Sequence, residues 1–165
     1  MHFRKFSTFL ISFVFIFVSL RFYSFVEDYS SWQYADWLIN YQGGFVRRGL
    51  FGEIFFNIYN LFSLRLDLIV FLFVIFLYAV FSYYLIKSLK YLEISKLNIL
   101  IILSPGFFLY PMMNSEVIGR KDILLITTIS YLIFLFDKIK ISYQLPVILI
   151  SIVPLSLTHT GFLFY

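Results

Sequence analysis

Two adjacent glycines and two adjacent arginines share one short segment, Gly43-Gly44-Phe45-Val46-Arg47-Arg48, and their types point to anion recognition. Neighbouring glycines permit a tight turn with positive φ and bare amides, and guanidinium groups present planar forks of donors that match phosphate or carboxylate. Predicted helical character after Gly49 adds unpaired backbone amides and a favourable dipole beside Arg47 and Arg48. The competing use of both arginines is anchoring, with long side chains reaching out to lipid headgroups.

Carboxylates supply the complementary chemistry. Glu27 and Asp28 follow directly on a long apolar run, where either can serve as a general base or bind a metal or an amine; a solvated helix end is the plainer alternative. Asp36 is the runner-up base, because helical spacing groups it with Gln33 and Asn40; a wet polar face is the plainer alternative. The segment Asn114-Ser-Glu-Val-Ile-Gly-Arg-Lys-Asp122 brings Arg120 and Lys121, which can join the anion site from another side. Glu116 has the spacing to pair with Arg120 across one turn instead. His159, between Thr158 and Thr160, has the means to contact a phosphate or move a proton, or to serve as a structural side chain. Without cysteine, disulfides and thiolate metal ligands are excluded. The cofactor is left unknown, with room for a divalent metal.

The elements that carry these groups follow from composition. With 61% hydrophobic and only 13% charged residues, the chain has too little polar surface for an ordinary aqueous domain. Apolar runs predict five spans: Ser7 to Val26, Asp67 to Ile86, Leu97 to Met113, Asp122 to Phe136 and Ser142 to His159. The predicted fold is therefore all-α, a polytopic membrane helix bundle of about five spans forming a single transmembrane domain over residues 1–165.

Loop charges orient it. Lys87, Lys90, Lys96, Lys138 and Lys140 fall in loops on one side, joined by His2, Arg4 and Lys5, which places that side and the N-terminus in the cytoplasm of an inner or plasma membrane. Arg21, near the outer end of the first span, is read as snorkelling to the interface. The surplus of positive charge lies in cytoplasmic loops, so nucleic acid is not an expected partner.

The first external loop reads as amphipathic. Tyr34, Trp37, Leu38 and Tyr41 form an apolar stripe, with Ser30 or Ser31 as a cap and Gly43-Gly44 as a stop. A second interfacial helix is predicted from Leu50 to Phe62, with Glu53, Asn57 and Asn60 on its polar side. Pro105-Gly106 and Pro111 predict a kink in the third span. The apolar ending Gly161-Phe-Leu-Phe-Tyr165, with no polar tail, predicts an N-terminal portion of a longer membrane protein.

An apolar span followed by Glu27-Asp28, with Tyr34-Ala35 on an amphipathic helix, resembles the start of membrane glycosyltransferases of the GT-C type. The run Gly43 to Leu50 and the segment Gly119-Arg120-Lys121-Asp122 resemble parts of bacterial multi-span proteins of surface-polysaccharide assembly. The resemblance implies a catalytic acid in the first external loop, matched by Asp28 or Glu27, and a sugar donor on polyprenyl phosphate. Arg47, Arg48, Arg120 and Lys121 would then stabilise the leaving phosphate, with a glycan or lipid as acceptor. Membrane lipid is the expected partner in every case. A non-catalytic lipid-binding subunit or scaffold of an envelope assembly uses the same arginines without a base. A transporter ranks last, because the spans hold few ionisable groups.

Overall fold

A computed structural model describes residues 2–28, 31–46, 48–88, 112, 114–136 and 138–158. All regular structure among the described residues is helical, in six α-helices and two 3-10 turns. The α-helices are α1 (His2–Glu27), α2 (Trp32–Ala35), α3 (Leu50–Phe62), α4 (Leu66–Ser88), α5 (Asp122–Phe136) and α6 (Ile141–Thr158). No glycine or proline interrupts α1 or α4, so each runs unbroken.

Length separates the helices. The helices α1, α4 and α6 are long and apolar enough to cross a bilayer, whereas α5, at 15 residues, rises only about 22 Å against the roughly 30 Å of a hydrocarbon core. The predicted Asp122 to Phe136 span is thus a helix over the same residues but a short one. The predicted Leu97 to Met113 span and its proline kink lie outside the described residues, Met112 apart.

α1 and α4 pack antiparallel. Ser7, Ile11, Val14, Val18, Phe22 and Val26 recur every three or four residues along the buried side of α1, facing Val70, Val74 and Leu77 of α4. Valine lets the two helices approach closely, while Phe6, Phe9, Phe13 and Phe76 point outward and are exposed. Phe71 closes one end of the pair, with its ring 6.4 Å from that of Phe22 and 5.6 Å from that of Tyr23.

α5 runs parallel to α4. Thr127 Oγ1 donates to the Leu77 carbonyl at 3.4 Å, and the Phe134 ring lies 5.2 Å from Tyr84, so rising numbers match rising numbers. Asn114 therefore stands at the end where α4 begins, and α6 turns back against α5. Two ends of different charge result. One carries Lys5, Lys87, Lys138 and Lys140; the other gathers every described acidic residue, together with Arg48, Arg65, Arg120 and Lys121.

At the acidic end the predicted helix through Tyr34, Trp37, Leu38 and Tyr41 is cut short. α2 passes into a 3-10 turn at Asp36–Leu38, and Ile39 is extended at ψ 120°. Extension brings the Ile39 carbonyl against Gly52 of α3, where a Cβ would overlap it. Ser31 stands at the start of α2, but its hydroxyl donates to the Phe25 carbonyl at 2.7 Å rather than capping the helix. Gly43-Gly44 ends no helix; it forms a turn in which the Gly44 amide donates to the Tyr41 carbonyl at 2.9 Å. α3 occupies the predicted range and ends at Ser63, which takes the left-handed conformation at φ 53°.

Candidate functional site at the acidic end

Two loops distant in sequence are locked together here. Glu116 Oε2 accepts from Gln33 Nε2 at 2.8 Å and from Trp32 Nε1 at 3.2 Å. Trp37, fully buried, donates its indole N–H to the Gly119 carbonyl at 2.6 Å, and the Gly119 amide donates to the Tyr78 hydroxyl at 3.3 Å. The Trp37 ring also meets Phe73 at 5.8 Å, inside a cluster with Phe51 and Phe55. Aromatic bulk and buried N–H groups thereby fix where each loop sits.

Lys121 lies inside this junction, its side chain fully buried. Its ammonium donates to the Arg48 carbonyl at 3.1 Å, stands 3.6 Å from Asp36 Oδ2 and lies 5.8 Å from the Trp37 ring centroid. Burial pushes the Lys121 ammonium below its ordinary pKa, Asp36 opposes that shift, and the Arg48 charge adds to it. Lys121 and Asp36, two of the sequence candidates, are thus brought together and face each other.

The remaining candidates take other positions. Arg120 pairs with Asp122 at 2.9 Å and lies over the Trp32 ring, so the expected Glu116–Arg120 pair does not form. The 3-10 turn at Ser115–Val117 and the positive φ of Gly119 break the helical register that pair requires. Glu53 accepts from the Tyr41 amide at 3.1 Å and from Gln42 Nε2 at 2.9 Å, tying the glycine turn to α3. Gly43, Gly44 and Arg48 are exposed. Arg47 and His159 lie outside the described residues.

Glu27 opens onto a cleft of about 370 Å³ between the end of α1 and the start of α4, lined also by Tyr23, Val26, Arg65, Asp67, Leu68 and Phe71. The Tyr23 hydroxyl and the Glu27 carboxylate interact across one helical turn. Arg65 grips Asp67 with two parallel bonds, Nε to Oδ1 at 3.1 Å and Nη2 to Oδ2, and Asp67 Oδ1 accepts the Leu68 amide at 2.9 Å. The other side of the same ion pair borders a more open cleft of about 490 Å³, lined by Tyr34, Leu38, Tyr59 and Leu66. Asp28 follows Glu27 at the exposed end of α1, and its carbonyl accepts the Ser31 amide at 2.9 Å.

Tyr23, Arg65 and Asp67 were not among the residues singled out from sequence. The available signal was Arg-x-Asp at the start of an apolar run, where a carboxylate suits a helix N-terminus. A cleft that combines carboxylate acceptors, a guanidinium fork and aromatic walls can bind a polyhydroxyl compound and take a proton from it. Among the described residues, no three His, Asp or Glu side chains gather as metal ligands. No protein-family model, curated protein or solved structure matches the chain.

Proposed function

We propose that the chain is a multi-pass membrane protein, with its lysine end in the cytoplasm and its acidic end outside, that acts as a glycosyltransferase or polysaccharide-assembly protein on a polyprenyl-phosphate-linked sugar. Three long apolar helices and the segregation of lysines to one end support the placement. The cleft that joins Glu27, Tyr23, Arg65 and Asp67 carries the functional reading. In this scheme Glu27, or its neighbour Asp28, takes the proton of an acceptor hydroxyl. The acceptor oxygen bonds to the anomeric carbon as the bond from that carbon to the phosphate oxygen breaks, and the electron pair leaves on the phosphate. Arg65, which lines both clefts, offsets the developing charge.

The test is transfer of a labelled sugar from a polyprenyl-phosphate donor in membranes that contain the protein. Glu27→Gln or Asp28→Asn should lower transfer by about 10²-fold or more while leaving expression and lipid binding intact. Wild-type transfer by both variants would remove the general-base role. A second reading, the non-catalytic lipid-binding subunit, draws support from Asp36, Glu53, Glu116 and Lys121, whose contacts are all internal and join loops. Absence of transfer alongside retained lipid binding would favour it.

A further inference from the structure

The glycine turn has no part in the proposed cleft, and its geometry points to a different partner. Phe45 and Val46 project from the turn at 75% and 43% exposure, and the Phe45 ring is stacked on Tyr41 at 5.6 Å. Glu53 holds the base of the turn to α3 through the Tyr41 amide and the Gln42 side chain, so the tip is braced. Exposed aromatic and β-branched side chains on a braced turn are poorly suited to water.

α3 divides lengthwise into three faces. Phe51, Gly52 and Phe55 pack on the bundle, Glu53, Asn57 and Asn60 form a polar wedge, and Ile54 and Leu61 leave a third, apolar stripe at 41% and 77% exposure. A helix lying at a membrane boundary needs those three faces: one toward protein, one toward water and one toward acyl chains. Depth agrees with this. Phe51 and Phe55 meet Phe73 of α4 at 4.9 and 5.2 Å, and Phe73 is seven residues, about 10 Å, along α4 from its first residue, Leu66. The polar pair Arg65–Asp67 marks the start of that helix, so the Phe51–Phe55 part of α3 lies below it while the end of α3, separated from Leu66 by three residues, lies level with it, within the depth such helices take.

We infer that α3 and the 41–46 turn lie in the outer headgroup and acyl boundary of the bilayer, with Phe45, Val46, Ile54 and Leu61 against lipid and Arg48 among the headgroup phosphates. Arg48 is exposed directly before α3 and carries the sign that phosphates attract. This inference rests on the membrane placement proposed above but not on the transferase activity.

The chain has no cysteine, so single cysteines can be spin-labelled without background. Labels at Phe45→Cys, Ile54→Cys, Leu61→Cys and Asn57→Cys would be compared in reconstituted bilayers, with Phe13→Cys and Leu72→Cys as controls on the spans. Oxygen, which concentrates in lipid, should broaden the Phe45, Ile54 and Leu61 labels several-fold more than a water-soluble nickel chelate does, with the reverse at Asn57. Nickel access at Phe45 and Leu61 equal to that at Asn57 would overturn the inference. Exclusion of both reagents there would overturn it too, because a protein surface would then cover the stripe. If Phe13 and Leu72 also fail to meet oxygen, the membrane placement itself falls. Ile54 and Leu61 read the same stripe independently, so loss of one variant to misfolding leaves the test in place.

Discussion

The buried ammonium of Lys121 faces the Asp36 carboxylate at 3.6 Å and holds the Arg48 carbonyl at 3.1 Å, so one side chain ties together the two loops and the approach to α3. Asp36 retains 20% exposure, whereas Lys121 has none. The two partners are therefore unequal. Asp36→Asn leaves a buried cation without its counter-charge and should cost about 3 kcal/mol, read as a lowered midpoint of unfolding in detergent. Lys121→Met keeps most of the stem, removes the buried charge and leaves Asp36 with access to water. Its cost should stay below about 2 kcal/mol, mainly from the orphaned Arg48 carbonyl. The reverse order would mean that the pair does not carry the junction.

The same lysine makes stability depend on pH in a definite direction. Its pKa is lowered in the folded protein from the ordinary 10.5, chiefly by burial, so the unfolded chain binds the proton more tightly. Between the folded and unfolded values the unfolded state holds more protons, and stability must rise with pH across that window. Below it the full penalty of the buried charge applies. Wild type should gain on Lys121→Met as pH climbs toward the ordinary lysine range. Melting curves of the two proteins that stay parallel over that range would contradict the assignment.

Glu116 gives a local prediction. Its Oε2 is shared by Gln33 and Trp32, and Gln33 is buried. Glu116→Ala removes both bonds and leaves the Gln33 amide without that acceptor, a cost of about 1 to 2 kcal/mol confined to the contact of α2 with the 114–121 loop. Amide exchange over residues 31–38 should quicken roughly tenfold while that of α4 is unchanged. Uniform acceleration across the chain would show that the contact is global rather than local.

How much of this was legible in the sequence differs by element. α3 was readable to its boundaries, because its polar residues repeat at helical spacing between Gly49 and Ser63. α1 and α4 were readable as long apolar helices, but not their packing faces: valine and phenylalanine are both apolar, and only the structure shows Val14, Val18, Phe22, Val70 and Val74 turned inward and Phe6, Phe9, Phe13 and Phe76 outward. The register of residues 34–41 was lost because tertiary contacts, the Trp37 bond to Gly119 and the close approach of Ile39 to Gly52, override the local period. Lys121 had the composition of an anion ligand. Its burial depends on Trp37 and Asp36, which are remote in sequence and invisible to any local pattern. The cleft at Glu27 was half visible, since Arg65 and Asp67 arrive there only through the antiparallel pairing of α1 with α4.

Two glycines with the same sign of φ separate backbone strain from packing. Gly44, at φ +116°, has open space where a Cβ would stand, whereas at Gly119, φ +80°, a Cβ would run into the Phe22 ring. Gly44→Ala should therefore cost only the conformational penalty of about 1 to 2 kcal/mol. Gly119→Ala carries that penalty and must also displace a fully buried aromatic ring, adding roughly 1 to 3 kcal/mol. Phe22→Leu should relieve the packing part of the Gly119→Ala loss and leave the backbone part. In a double-mutant cycle the coupling between Phe22→Leu and Gly119→Ala should be favourable by about 1 kcal/mol or more, while Phe22→Leu and Gly44→Ala should add independently. Equal coupling in both pairs would show that Phe22 does not set the close approach of the 114–121 loop to α1.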